Sequence, residues 1–184
     1  MTAALPWAGE EAGDSAGGAD EAAALGRRVQ EALLHRGETV AVAESLTGGA
    51  LGAALTALPG SSATFRGGVT AYASDLKAAL LGVDVALLAS VGAVDPLVAT
   101  QMAAGVRERL QATYGLATTG VAGPDAQDGH PPGEVHLAVA GPSAGQVVSV
   151  TFGGGRAEVR AAAVRRALAM LVEHVGPQAP KALD

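Results

Sequence analysis

The chain contains no cysteine. Disulfides, thiolate metal ligands and cysteine nucleophiles are therefore excluded. Lysine is nearly absent as well: the 12 basic residues are ten Arg and two Lys, Lys77 and Lys181. No stretch approaches the roughly 18 apolar residues that a membrane-spanning helix needs. The N-terminus lacks a basic segment leading into an apolar one, so no secretory signal is expected. Positive charge is also in deficit, with a formal net charge of −6. A general nucleic-acid binder would instead carry a basic patch. Together these absences lead us to expect a cytoplasmic protein with no nucleic-acid or membrane partner.

A length of 184 residues suits one domain with a substantial core. The hydrophobic share is 49%, but much of it is Ala, so helices and sheet must pack closely. Residues 1–18 are rich in Gly, Ala and acids without apolar periodicity, and read as a flexible tail. The single Trp, Trp7, lies there and reads as an incidental aromatic, with partner docking as the alternative. Residues 19–176 form the domain, and 177–184 read as a second loose tail.

Within the domain, Asp20 caps a helix that Gly37 stops. Strands are expected at 39–43, 68–73, 114–119, 134–140 and 147–152. Helices are expected at 49–58, at 74–81 with Ser74 as cap, over 84–89, from Pro96 behind the cap Asp95 to about 113, and over 156–175. A loop rich in Gly, Pro and Asp occupies 120–133. Helices alternate with strands early and a hairpin comes late. This order predicts an α/β fold: a single-domain three-layer sandwich, a mixed β-sheet with helices on both faces.

The richest local signal is Ala-Glu-Ser-Leu-Thr-Gly-Gly at 43–49. A buried strand ends there in a hydroxyl and a Gly pair, and a helix follows. Such a turn exposes Ser45 at the carboxyl end of a sheet, where open α/β folds place ligands. The N–H groups of Thr47, Gly48 and Gly49 would be free to meet an anion. Ser45 is then a helix cap, part of an anion cradle or a nucleophile. The flanking residues are not those of the Gly-x-Ser-x-Gly elbow, and no Asp-then-His pair follows to complete a triad. A base for Ser45 must come from elsewhere.

Lys77 is the candidate. In a chain that carries its charge on Arg, an internal Lys hints at Lys chemistry, since burial lowers a Lys pKa and Arg stays protonated. Neighbouring first and second strands would bring Ser45, Tyr72 and Lys77 to one edge. Lys77 could take the Ser hydroxyl proton and return it to a leaving amine. Tyr72 would bridge the two or hold the amine neutral. The plainer alternative is a solvated Lys77 paired with Asp75 or Asp84, and a core Tyr72.

Thr118-Thr119-Gly120-Val121-Ala122-Gly123-Pro124-Asp125 is a second strand-to-loop junction. Its Gly spacing suggests a backbone cradle but matches neither the Walker loop nor Gly-x-Gly-x-x-Gly. Asp125, Asp128 and His130 match no metal-binding spacing and read as solvated loop residues; His35, His136 and His174 are scattered. Arg156 opens the last helix as a surface residue or a phosphate contact. Arg160, Arg165 and Arg166 read as a solvated face.

Several segments in order resemble one family. They are 43–49, Pro-Gly-Ser-Ser (59–62) with Phe65 and Gly67-Gly68-Val69, Tyr72, Lys77, Gly-Val (82–83), Gly-Ala-Val (92–94), Thr-Gly-Val-Ala-Gly-Pro-Asp (119–125) and Pro-Pro-Gly-Glu-Val (131–135). Over roughly residues 20–175 the chain is similar to the CinA C-terminal domain family, called PncC where the domain stands alone. The resemblance implies an amidohydrolase that converts nicotinamide mononucleotide and water to nicotinate mononucleotide and ammonia, without metal or cofactor. Ser45, Lys77, Tyr72 and Thr119 match its catalytic positions. Thr47, Gly48, Gly49, Gly120, Gly123, Asp125 and Arg156 fall where substrate is expected to be held. By family analogy a homo-oligomer, a dimer first, is expected. Leu46 stands where Cys is frequent, Asp95 where Ser is, and Gly154-Gly155 where Gly-Asp is usual. Pro132 and the 127–130 stretch alter the loop, which leaves fine specificity open. The N-terminal domain of full-length CinA proteins has no counterpart in this sequence, so its activity is not expected here. A catalytically silent mononucleotide-binding module and an enzyme for another pyridine carboxamide are the competing expectations.

Overall fold

Valine and alanine alternate along the first strand, and the fold follows from that alternation. In the computed structural model, which describes residues 15–176, β1 (Val40–Glu44) is buried along its whole length. Val40 and Val42 join one hydrophobic cluster, and Ala41 and Ala43 join another on the opposite face. The sheet has five strands in the order β2-β1-β3-β4-β5. β2 (Phe65–Thr70) and β3 (Tyr114–Gly120) flank β1 in parallel. β4 (Glu134–Ala140) and β5 (Gln146–Thr151) then run antiparallel as a hairpin.

Among the described residues, six α-helices cover the two faces. α1 (Ser15–Arg36), α2 (Ala50–Thr56) and α6 (Arg156–Val175) pack over the larger side chains: Val42, Leu116, Leu137 and their neighbours. α3 (Ser74–Leu81), α4 (Val85–Val91) and α5 (Pro96–Arg109) pack over the alanine face. Small residues let α5 come very close. A Cβ on Gly115 of β3 would collide with the Ala103 carbonyl, and one on Gly105 with that of Leu81. The mixed three-layer α/β sandwich expected from the sequence is the fold observed.

Local boundaries differ in instructive ways. α1 begins at Ser15, so residues 15–18 are helical rather than tail; Trp7 and Lys181 lie outside the described residues. β2 starts at Phe65 instead of residue 68. Gly68, expected to open the strand, lies inside it opposite Val42, whose side chain a Cβ there would strike. α5 ends at Arg109, four residues early, where Gln111 takes a positive φ and the Ala112 N–H returns to the Arg107 carbonyl. Asp84 and Asp95 cap their helices through their side chains, at 2.7 Å each. Ser74 does not cap α3; Ala73 holds that position without a side-chain bond.

Candidate active site

The carboxyl ends of β1 and β3, the chain after β2 and the start of α6 surround a cavity of about 90 Å³. Ser45, Tyr72, Lys77, Thr119, Gly120, Gly123, Asp125 and Arg156 all line it. A larger groove of about 510 Å³ between α3 and α5 is lined by Gln101, Glu108 and Arg109 and has no comparable nucleophile.

Lys77 lies at the bottom, 1% exposed. It sits one turn into α3, which turns its stem inward beneath the sheet edge. Its Nζ donates to the Ala71 carbonyl at 2.9 Å and lies 3.1 Å from Ser45 Oγ. Neither Asp75 nor Asp84 pairs with it, so the solvated reading fails. With no carboxylate among the described residues to offset burial, its pKa falls from 10.5 to about 8, desolvation being the cause. A neutral amine at that position keeps its bond to Ala71 and turns its lone pair toward the Ser45 hydroxyl.

Ser45 is 8% exposed, and its N–H donates to the Thr118 carbonyl at 3.0 Å. It is not the α2 cap. The cap position is Gly49, at φ 95°, with no side-chain cap bond. The amides expected to be free are partly spent. Gly48 N–H donates to the Ser45 carbonyl and Gly49 N–H to Glu44 Oε2. Among the described residues, the Leu46 and Thr47 N–H groups have no such partner. The Thr47 hydroxyl is engaged with that of Thr118 at 2.8 Å.

Tyr72 departs from expectation. It is neither core nor bonded to Lys77, being 58% exposed. Its hydroxyl accepts from Arg156 Nη2 at 2.8 Å, while Arg156 Nη1 donates to the Gly123 carbonyl at 3.0 Å. Arg156 thus straps the two lips of the cavity. Thr119 is buried and donates to the Ala93 carbonyl at 2.7 Å, which leaves its oxygen lone pairs free to accept. Gly120 lines the cavity and also packs closely on β4: a Cβ there would collide with the Glu134 carbonyl.

Other assignments change in three dimensions. Asp125 and Asp128 are exposed, and no group of three His, Cys, Asp or Glu among the described residues could hold a metal. His136, expected to stand apart, and His130, expected to be a solvated loop residue, meet at Glu134. Glu134 Oε1 lies 3.0 Å from His130 Nδ1 and 3.3 Å from His136 Nε2. His136 Nδ1 meets Ser149 Oγ at 2.8 Å, and burial lowers the His136 pKa. His136 pairs with Thr119 across β3 and β4, so this cluster backs the cavity wall. The Arg face of α6 is half-buried instead of solvated: Arg160 Nη2 donates to the Thr47 carbonyl at 2.7 Å and Arg165 pairs with Glu21 at 3.0 Å.

The residue that sequence reasoning missed is Glu44. It is 2% exposed and accepts from the N–H groups of Gly49, Leu51 and Gly52. A signal was present: an acid inside an otherwise apolar buried strand requires donors, and the amides of the next helix are the nearest.

Comparison with known proteins returns one consistent neighbourhood. A family model described as CinA C-terminal domain matches residues 22–175. A CinA-like protein of Frankia casuarinae is 53% identical over 152 residues, 83% of this chain and 35% of that protein. The chain therefore spans about a third of the length of such relatives. Competence/damage inducible protein CihA from Agrobacterium tumefaciens has a crystal structure that superposes with a TM-score of 0.81 at 38% identity, covering 83% of this chain and 94% of that one. The CinA superfamily protein KP700603 from Klebsiella pneumoniae gives 0.81 at 34% identity, covering 84% and 97%.

Proposed function

The chain belongs to the CinA C-terminal domain family, and from that premise we propose that it hydrolyses the carboxamide of nicotinamide mononucleotide to nicotinate mononucleotide and ammonia. One observation carries the reading: a fully buried Lys77, without a carboxylate, whose amine lies 3.1 Å from Ser45 Oγ. That is the distance and the chemistry of a nucleophile with its base.

In the proposed sequence, neutral Lys77 takes the Ser45 proton as Oγ attacks the carboxamide carbon. The oxyanion develops toward the unpartnered Leu46 and Thr47 N–H groups, where fixed donors act most strongly in a dry site. The tetrahedral intermediate collapses as Lys77 protonates the leaving nitrogen, which departs as ammonia. Lys77, neutral again, takes a proton from water as that water attacks the ester on Ser45, then returns it to Ser45 Oγ as the ester bond breaks and nicotinate mononucleotide leaves. Thr119, whose own proton is committed to Ala93, offers lone pairs to a carboxamide N–H.

The cavity of about 90 Å³ suits one ring, well below the ~300–1,000 Å³ of sites that enclose a whole ligand. The ribose phosphate therefore projects through the mouth, past Tyr72 and Arg156. Arg156 meets only neutral acceptors there, so its charge is available to the phosphate. Ammonia release by purified protein, lost in Ser45→Ala and in Lys77→Ala while both stay folded, tests this reading. Tight mononucleotide binding without ammonia would instead fit a silent binding module.

A further inference from the structure

Glu44 is the buried ionisable group that the proposed reaction leaves unused. Burial of a carboxylate is tolerated only where donors replace its water, and here three do. Gly49 and Leu51 N–H each lie 3.0 Å from Oε2, and Gly52 N–H lies 2.8 Å from Oε1. These are the leading amides of α2, which has no side-chain cap of its own. A Cβ on Gly52 would stand 3.3 Å from Oε1, so the glycine lets the carboxylate lie against the helix. The last residue of β1 is thus fastened to the first turn of α2, and only residues 45–48 span the gap.

That gap contains Ser45. Its other fastenings come from elsewhere: the Ser45 N–H to Thr118, the Thr47 hydroxyl to Thr118, and Arg160 to the Thr47 carbonyl. The Glu44 backbone reaches the second member of the pair. Its carbonyl accepts the Ala71 N–H at 2.9 Å, and the Ala71 carbonyl accepts from Lys77 Nζ. One residue therefore holds the serine turn with its side chain and the peptide that seats the lysine with its main chain.

We infer that Glu44 is a positioning residue for the Ser45–Lys77 pair: its carboxylate fixes the 45–49 turn at bonding distance from Lys77. The consequence for turnover rests on the proposed role of Ser45; the consequence for the turn does not. The test uses the full chain carrying Glu44→Gln, which keeps the shape but presents an amide N–H to one of the three donors. Leu168→Ala, in the α6 core, serves as a control that lowers stability elsewhere. Expected in Glu44→Gln are faster hydrogen exchange over residues 45–52 and a kcat lower by about tenfold with KM within about twofold. Leu168→Ala should lower the melting temperature and change neither readout. Should Glu44→Gln fail to fold, Glu44→Asp keeps the charge, withdraws the oxygens and should show the same pattern. Wild-type exchange over 45–52 in a folded Glu44 variant, or equal kcat losses in that variant and Leu168→Ala, would overturn the inference. If the wild type releases no ammonia, the deamidase reading falls, and the exchange result still decides the role of Glu44.

Discussion

Two ionisable groups are buried on either side of Ser45, and the fold treats them oppositely. Glu44 turns toward α2 and receives three backbone donors. Lys77 lies against the alanine face and receives one carbonyl and one hydroxyl. Both are essentially without solvent. A buried charge whose hydrogen bonds are complete is a fastening. A buried charge left short of partners shifts its pKa and becomes reactive. The contrast assigns structure to the acid and chemistry to the base, although the two residues lie at the ends of the same short relay through Ala71.

The sharpest way to break the contrast is to remove the reactive side. Ser45→Ala or Lys77→Met should lower ammonia release by about a thousandfold or more, with the melting transition kept cooperative. Removing the fastening should act on stability first. Glu44→Ala strands three amides and should cost about 3 kcal/mol in denaturant unfolding.

The different partner counts also predict a pH signature. Lys77 has a folded pKa of about 8 against 10.5 for the free side chain. Between those values the unfolded chain holds a proton that the folded chain does not, so stability should rise with pH across that window. The gain attributable to Lys77 is on the order of 3 kcal/mol, and it should vanish in Lys77→Met. A smaller effect is expected at the mouth. Arg156→Ala should raise KM about tenfold with little change in kcat, because it removes charge that meets the phosphate and leaves the dyad alone.

How much of this could be read from sequence divides along physical lines. Periodicity and turn residues located the strands and helices because those signals are local. Ser45 and Lys77 could be paired because a strand-end serine and a scarce internal lysine are chemically complementary, and the two neighbouring strands bring them to one edge. Glu44 escaped notice because its partners lie five to eight residues onward in a helix whose approach angle only packing sets. The exposed Tyr72 escaped for a related reason: its partner, Arg156, lies 84 residues away. The early start of β2 escaped because glycine is a weak strand signal, whereas Gly68 is required by the close approach of Val42. The Arg face of α6 misled because α1 and the 45–49 turn cover it, and neither contact is visible in helical periodicity.

The most direct measurement is the pH dependence of kcat/KM for ammonia release from nicotinamide mononucleotide by the purified full chain. Expected is a limb that rises with pH through about 8, as Lys77 becomes neutral, with release from Ser45→Ala lower by about a thousandfold or more at every pH. A protein that binds the mononucleotide without releasing ammonia, or whose Ser45→Ala variant turns over like the wild type, would contradict the Ser45–Lys77 mechanism.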